Sequence, residues 1–103
     1  MSAANPYRGE ASLVVGGETV VLRPSFGALV AAEEELGPLF ALVERASEGR
    51  LGIGEIAALF DHVSAERAEG ITRERIGEAL TEQGLAGIAP VLRMLLGQIL
   101  QGR

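Results

Sequence analysis

His62 is the only histidine of the chain, and it follows Asp61 in a helical pattern. Acid–base catalysis or metal binding at His62 would need a second group placed beside the ring. Adjacent residues of a helix point about 100° apart, so Asp61 is not positioned to orient that ring. The sequence therefore predicts that His62 lies at the surface or at the boundary of the core. We predict no catalytic residue and no metal ligand in this chain.

Three consecutive glutamates, Glu33, Glu34 and Glu35, are the densest group of carboxylates. Three consecutive helical residues point in three directions and cannot converge on one cation. We expect Glu34 and Glu35 to be solvated and Glu33 to lie at the boundary of the core. The chain has no cysteine, which excludes disulfides, thiolate metal sites and a cysteine nucleophile.

Segment 52–57, Gly-Ile-Gly-Glu-Ile-Ala, fits the letter of a dinucleotide-binding fingerprint. Such a fingerprint works only after a buried strand, where the following helix receives the pyrophosphate at its N-terminus. Here it follows Glu-Gly-Arg at 48–50, which is not a strand pattern. We interpret it as a glycine-rich turn between helices, and we predict no cofactor.

Composition excludes several classes of function. The 103 residues suffice for one domain, and 48% of them are hydrophobic. The net charge of −5 argues against nucleic-acid binding, which needs a basic surface. The most apolar segment, 85–100, contains Arg93 and Gln98 and is shorter than the roughly 20 residues of a membrane span. No leader pattern is visible, so we expect a cytoplasmic protein that does not bind membranes.

The positions of these residues depend on a β-hairpin followed by helices. Two apolar runs, near 10–15 and 18–23, flank Gly16 and Gly17, whose tolerance of positive φ favours a two-residue turn. That turn fixes the register and collects one apolar face, which consists of Ala11, Leu13, Val20 and Leu22. An isolated hairpin is marginal in water, so this face must pack on helices.

Local signals delimit the helices. Ser25 and Gly37 bound the first, Pro38 and Gly49 the second, Gly70 ends a third over about 55–68, and Thr72 and Gly84 bound a short fourth. A last helix follows, regular from about 89 because Pro90 belongs in a first turn. The apolar stripe of the first helix begins at Phe26, and the inner face of the second is Leu39, Leu42, Val43 and Ala46.

The fold class predicted from these elements is α+β. We expect an N-terminal two-stranded antiparallel β-hairpin packed on a bundle of four to five short α-helices, all in one domain over 9–103. A flexible arm is expected over residues 1–8, which are small and polar.

The last helix is the one candidate functional surface. Between residues 85 and 100 only Arg93 and Gln98 have long polar side chains. A helix that is apolar almost all round is either central in its own core or part of a partner interface. Both can hold here, with Leu92 and Leu95 directed inward and Leu96 or Met94 outward.

Several blocks together resemble a known family. They are Asn-Pro-Tyr-Arg-Gly-Glu at 5–10, the hairpin that leads to Leu-Arg-Pro-Ser-Phe at 22–26, the run from Ala28 to Gly37, and Gly-Arg-Leu at 49–51 with the helix after it. They resemble the small tail protein of bacterial gene transfer agents and related prophages, over about residues 5–100. That family is described both as a phage tail tube protein and as a tail assembly chaperone.

The resemblance implies a non-enzymatic protein of phage-like tail morphogenesis, with no catalytic residue to transfer. It implies a chaperone that binds the tape-measure protein, or other tail proteins, while the tail assembles. We predict that the apolar stripe of the last helix takes part in this binding, through Leu92, Leu95, Leu96 and Ile99. The alternative is a structural component that is retained in the particle, and self-association into a homo-oligomer stays open.

Overall fold

The computed structural model describes residues 11–65 and 67–102 of the chain. The elements are β1 (Ala11–Val15), β2 (Glu18–Leu22), α1 (Phe26–Leu36), α2 (Leu39–Ser47), α3 (Ile53–Val63), β3 (Ser64–Ala65) and α4 (Arg73–Gln101). An antiparallel sheet in the order β1-β2-β3 packs against the helices, which confirms the predicted α+β class. The arm predicted over 1–8 and the first residue of the first predicted strand lie outside the described residues.

The hairpin has the predicted turn and register. Gly16 and Gly17 have φ values of 57° and 82°, which suit glycine, and they join β1 to β2 as a two-residue turn. Leu13 therefore lies opposite Val20. The predicted apolar face is buried, and it consists of Ala11, Leu13, Val20 and Leu22.

The sheet has a third strand that the sequence did not predict. The helix expected over 55–68 ends at Val63, and the next two residues pair with β2 instead. The amide of Arg23 donates a hydrogen bond to the carbonyl of Val63 over 2.7 Å. The free edge of β2 thus supplies backbone partners that compete with continuation of the helix, and β2 becomes the central strand.

Helix ends follow the local signals closely. The Ser25 hydroxyl accepts from the Ala28 amide at the start of α1, and the Thr72 hydroxyl accepts from the Arg75 amide at the start of α4. At Gly84, φ is 79° and ψ is 153°, and this residue breaks α4 into the segments 73–83 and 85–101. The four helices, with the fourth in two segments, agree with the predicted four to five.

The start predicted for the last helix is wrong. Helical backbone resumes directly after Gly84, so Pro90 lies inside the segment 85–101. Proline lacks the amide that would donate to the carbonyl of Ala86. Ala86 and Pro90 are both exposed, so the carbonyl of Ala86 is accessible to solvent, and the helix continues through the proline.

The core is centred on α3, which lies against both α1 and α4. Six of its residues are buried, and Phe60 is the only phenylalanine in the core. Other large side chains that are fully buried come from β2, α2, α3 and α4, and they include Leu22, Leu42, Leu59, Ile76, Leu80, Ile88 and Leu95. Among the described residues, the core is therefore aliphatic around the aromatic ring of Phe60, and α4 contributes to it along both segments.

Candidate partner-binding surface

The chemistry-bearing residues meet at an ion-pair network between three helices. Arg73, at the start of α4, holds Glu35 of α1 with two hydrogen bonds of 2.5 and 2.8 Å. Its Nε donates to Asp61 of α3 over 3.1 Å. His62 Nε2 lies 2.7 Å from the Glu35 carboxylate. Arg67 also pairs with Asp61.

The network sets the charge of its members. Hydrogen bonds from Arg73 and then from His62 lower the pKa of Glu35 to about 2, from an ordinary 4.5. Burial raises the pKa of Asp61, but hydrogen bonds from Arg67 and Arg73 outweigh burial and leave that pKa below its usual value. The hydrogen bond to Glu35 raises the pKa of Arg73. Both carboxylates are therefore ionised and paired at neutral pH.

This network ties helices together and has no free acid or base. Each carboxylate in it is occupied by an arginine, and within residues 11–65 and 67–102 no cluster of three acidic or histidine side chains could hold a metal ion. His62 lies at the boundary, as predicted. Glu35 is exposed, as expected, and it is also paired with an arginine 38 residues away in the sequence, which was not predicted.

Two other motifs also have structural roles. The Gly52 amide donates to the Glu55 carboxylate over 3.0 Å at the start of α3, which confirms the predicted turn between helices. The other oxygen of Glu55 lies 2.5 Å from Arg45 of α2. The Glu33 carboxylate accepts from the Leu39 amide over 3.1 Å, at the start of α2. These two contacts hold α2 at its two ends.

The four residues predicted to bind a partner are separated by the fold. Leu95 is fully buried and Leu96 is only 8% exposed, and both belong to the hydrophobic core. Leu92 and Ile99 are partly buried and line surface cavities. Met94, at 43% exposure, faces outward in place of Leu96. Binding by these four residues stays a prediction, and Leu92 and Ile99 are the two that reach the surface.

Two cavities of about 170 Å³ each lie where α2 meets the segment 85–101. The first, beside the N-terminal half of α2, is lined by Glu33, Leu39, Phe40, Val43, Ile99 and Leu100. The second, beside its C-terminal end, is lined by Ala46, Gly49, Leu51, Ile56, Leu85, Ile88, Ala89 and Leu92. Both linings are almost entirely apolar, so both cavities suit hydrocarbon side chains.

Phe40 makes this region prominent on the surface. It is 82% exposed, beside Leu100 at 51%. We call the apolar surface around the two cavities the α2–α4 seam. Its residues that are at least partly exposed include Leu39, Phe40, Val43, Leu92, Ile99 and Leu100. Phe40 was not among the residues predicted to bind a partner. The inner face predicted for α2 leaves Phe40 on the outer face of that helix, and this pattern already indicated an exposed phenylalanine. Phe26, predicted to begin the stripe of α1, is also exposed, at 85%, since it precedes the part of α1 that packs.

A third depression, between α3 and α4, is larger and more open, with a volume of about 600 Å³. Three exposed glutamates one turn apart on α4 line it, namely Glu74, Glu78 and Glu82. Water solvates carboxylates in so open a groove. The α2–α4 seam is therefore the better candidate for binding an apolar partner.

By length and composition alone, α4 could cross a membrane, with a mean hydropathy of 1.3 in its most apolar window. The break at Gly84 leaves two segments that are each shorter than the roughly 20 residues of a span. Both segments also bury side chains in the core, including Ile76 and Leu95. We therefore interpret α4 as a core helix with one apolar side at the surface.

A family model described as phage tail tube protein, GTA-gp10, matches residues 8–102, which is nearly the whole chain. No curated protein and no solved structure matches it.

Proposed function

The chain belongs to the phage tail tube protein family of GTA-gp10, and from this membership we propose that it is a tail assembly chaperone. Family membership gives it a structural or assembly role in a phage-like tail. The finer proposal is that it binds the tape-measure protein in the cytoplasm during tail assembly. In this role it catalyses no reaction and acts through its surface alone.

The α2–α4 seam is the observation that supports this proposal. It has two apolar cavities and exposes Phe40 and Leu100 at the first of them, on a chain with a net charge of −5. A tape-measure protein is expected, from the resemblance, to be a long helical chain with apolar stripes. An apolar seam on an acidic domain could cover such stripes while charge repulsion keeps the complex soluble.

The second candidate is a structural component that stays in the finished tail. The family description as a tail tube protein favours it. So does the position of β1 at the edge of the sheet, where a strand of a neighbouring subunit could pair. In that case the chain would be a stoichiometric part of purified particles.

Co-expression with the tail genes of the same genetic element separates the two candidates. Mass spectrometry should find the tape-measure protein with the chain in soluble complexes, and should not find the chain in mature particles. Loss of the soluble complex in Phe40→Ala, but not in Phe26→Ala, would assign binding to the seam. A chain that is abundant in particles and forms no soluble complex would establish the structural role instead.

A further inference from the structure

The two cavities of the seam lie on one face of the segment 85–101. Ile88 lines one cavity and Ile99 lines the other, eleven residues further along the same helix. Eleven helical residues rise about 16 Å and return to within roughly 20° of the starting direction. The cavities are therefore in line along the helix axis, about three turns apart.

Each cavity has the volume of one large apolar side chain. A cavity of about 150 Å³ in another protein binds benzene, so about 170 Å³ accepts a leucine or phenylalanine side chain. A helix that lies along 85–101 advances at the same rise per residue. Two of its side chains that are eleven positions apart can therefore enter the two cavities, one in each.

Charged residues around the two cavities indicate which charge a bound helix should have. Glu33 lines the first cavity, and Glu44 is exposed one turn after Phe40, on the same side of α2. Arg93, the one basic residue of segment 85–101, points roughly 140° away from Ile88. Beside the second cavity, exposed Arg50 is paired with Glu48 at 3.2 Å, so Glu33 and Glu44 leave the rim with a net negative charge. Basic side chains beside the apolar anchors of a bound helix complement it.

We propose that the α2–α4 seam binds one amphipathic helix of another protein, with two large apolar residues eleven positions apart and lysine or arginine beside them. The identity of that protein as a tail component rests on the proposed function. The spacing and charge of the bound helix follow from the two cavities and their rim, whichever protein supplies it.

Synthetic peptides test the spacing directly with the full chain. The probe is a fluorescent helical peptide of about 20 residues, rich in alanine and lysine, with two leucines eleven positions apart. The control has the same composition, with the leucines nine positions apart and so on opposite sides of the helix. By fluorescence anisotropy, the eleven-spaced peptide should bind at least about tenfold more tightly.

Two phenylalanines of the chain supply a matched pair of variants. Phe40 and Phe26 are similarly exposed, so alanine at either position should leave the fold intact, as thermal melts would verify. Only Phe40 lines a cavity of the seam. Phe40→Ala should weaken binding of the eleven-spaced peptide about tenfold, and Phe26→Ala less than about twofold.

Several results would overturn the proposal. They are equal binding of the two peptides, equal effects of the two alanine variants, and undiminished binding after glutamate replaces every lysine of the peptide. A dimer of the chain that Phe40→Ala abolishes would assign the seam to a second copy instead. Binding to anionic vesicles that depends on Phe40 would assign it to a membrane.

The peptide experiment and the capture of the tape-measure protein test the two proposals independently. If the tape-measure protein is captured but peptide spacing has no effect, the helix-spacing inference is wrong and the chaperone role stands. If spacing matters but no tail protein is captured, the chaperone role is wrong and the seam remains a helix-binding surface.

Discussion

Arg73 is the residue that joins α1, α3 and α4. Its guanidinium binds Glu35 through two hydrogen bonds and Asp61 through a third. His62 also contacts the Glu35 carboxylate, at hydrogen-bond distance. The planar guanidinium fits such bidentate pairing, which the ammonium of lysine cannot reproduce. The titratable groups that look most like an active site in the sequence are thus occupied in holding helices together.

The ionisation of Glu35 predicts how stability changes with pH. Its pKa in the folded protein is about 2, below the ordinary 4.5, so its contribution is full above about pH 5 and is lost as the pH falls toward 2. Glu35→Gln should be less stable than the wild type at pH 7, and the difference should narrow at pH 3. Urea denaturation at pH 7, 5 and 3 measures this.

Glu34→Gln, which changes the adjacent exposed glutamate, is the control. It should leave the free energy of unfolding within about 0.5 kcal/mol of the wild type at pH 7. A stability difference for Glu35→Gln that stays constant down to pH 3 would contradict the ion-pair account.

Gln98 is a polar residue that is buried among apolar side chains of α4. It is 9% exposed, and both atoms of its side-chain amide are buried without a hydrogen-bond partner among the described residues. Gln98→Met keeps the length of the side chain and removes the unsatisfied group. We expect the free energy of unfolding to rise by about 1–3 kcal/mol in chemical denaturation.

The exposed Gln101 of the same helix supplies the comparison. Gln101→Met should change the free energy of unfolding by less than about 0.5 kcal/mol. A loss of stability in Gln98→Met would show that the amide has a favourable partner.

At the scale of elements, two glycines of α4 differ in backbone conformation. Gly84 has φ 79° and ψ 153°, a conformation that side chains rarely adopt, although a Cβ there would meet no atom within 4 Å. Gly97 has helical backbone and equally open space around it. The break in α4 therefore comes from backbone conformation at one residue and not from crowding.

Alanine at these two positions should have opposite effects. Gly84→Ala should lower the free energy of unfolding by about 1–3 kcal/mol, because it strains the break. Gly97→Ala should raise it by about 0.5–1 kcal/mol, because alanine loses less backbone entropy in a helix. Thermal and urea denaturation of both variants measure the difference. Stabilisation by Gly84→Ala would mean that α4 is straight in solution.

At the scale of the whole molecule, burial is unevenly distributed among the helices. α3 buries six residues at the centre of the core, whereas α2 buries only Leu42 and is held at its ends by Arg45 and Glu33. The two cavities lie between α2 and segment 85–101. The surface proposed to bind a partner is thus next to a helix that buries a single residue.

Hydrogen exchange followed by mass spectrometry tests this distribution. Amides of α2 should exchange faster than those of α3, because fewer buried contacts break when α2 opens. Addition of the eleven-spaced peptide should slow exchange in α2 and leave α3 unchanged. Equal protection of the two helices in the free chain would contradict the predicted difference.

Signals within a few residues determined most of the elements. The two glycines at 16 and 17 set the hairpin register, Ser25 and Thr72 begin helices, and Gly84 interrupts one. These signals are reliable because φ preference, side-chain caps and turn length act locally, whatever the rest of the chain does. The α+β class and the apolar face of the hairpin follow from them.

Tertiary structure alone decided which of these elements meet. Ser64 and Ala65 become strand because the free edge of β2 lies beside them, and Glu35 pairs with an arginine 38 residues away. The same is true of segment 85–101, where periodicity marks an apolar stripe but only packing buries Leu95 and leaves Ile99 at a cavity. Pairings across the fold depend on how helices and strands come together in space, and no local sequence signal records that.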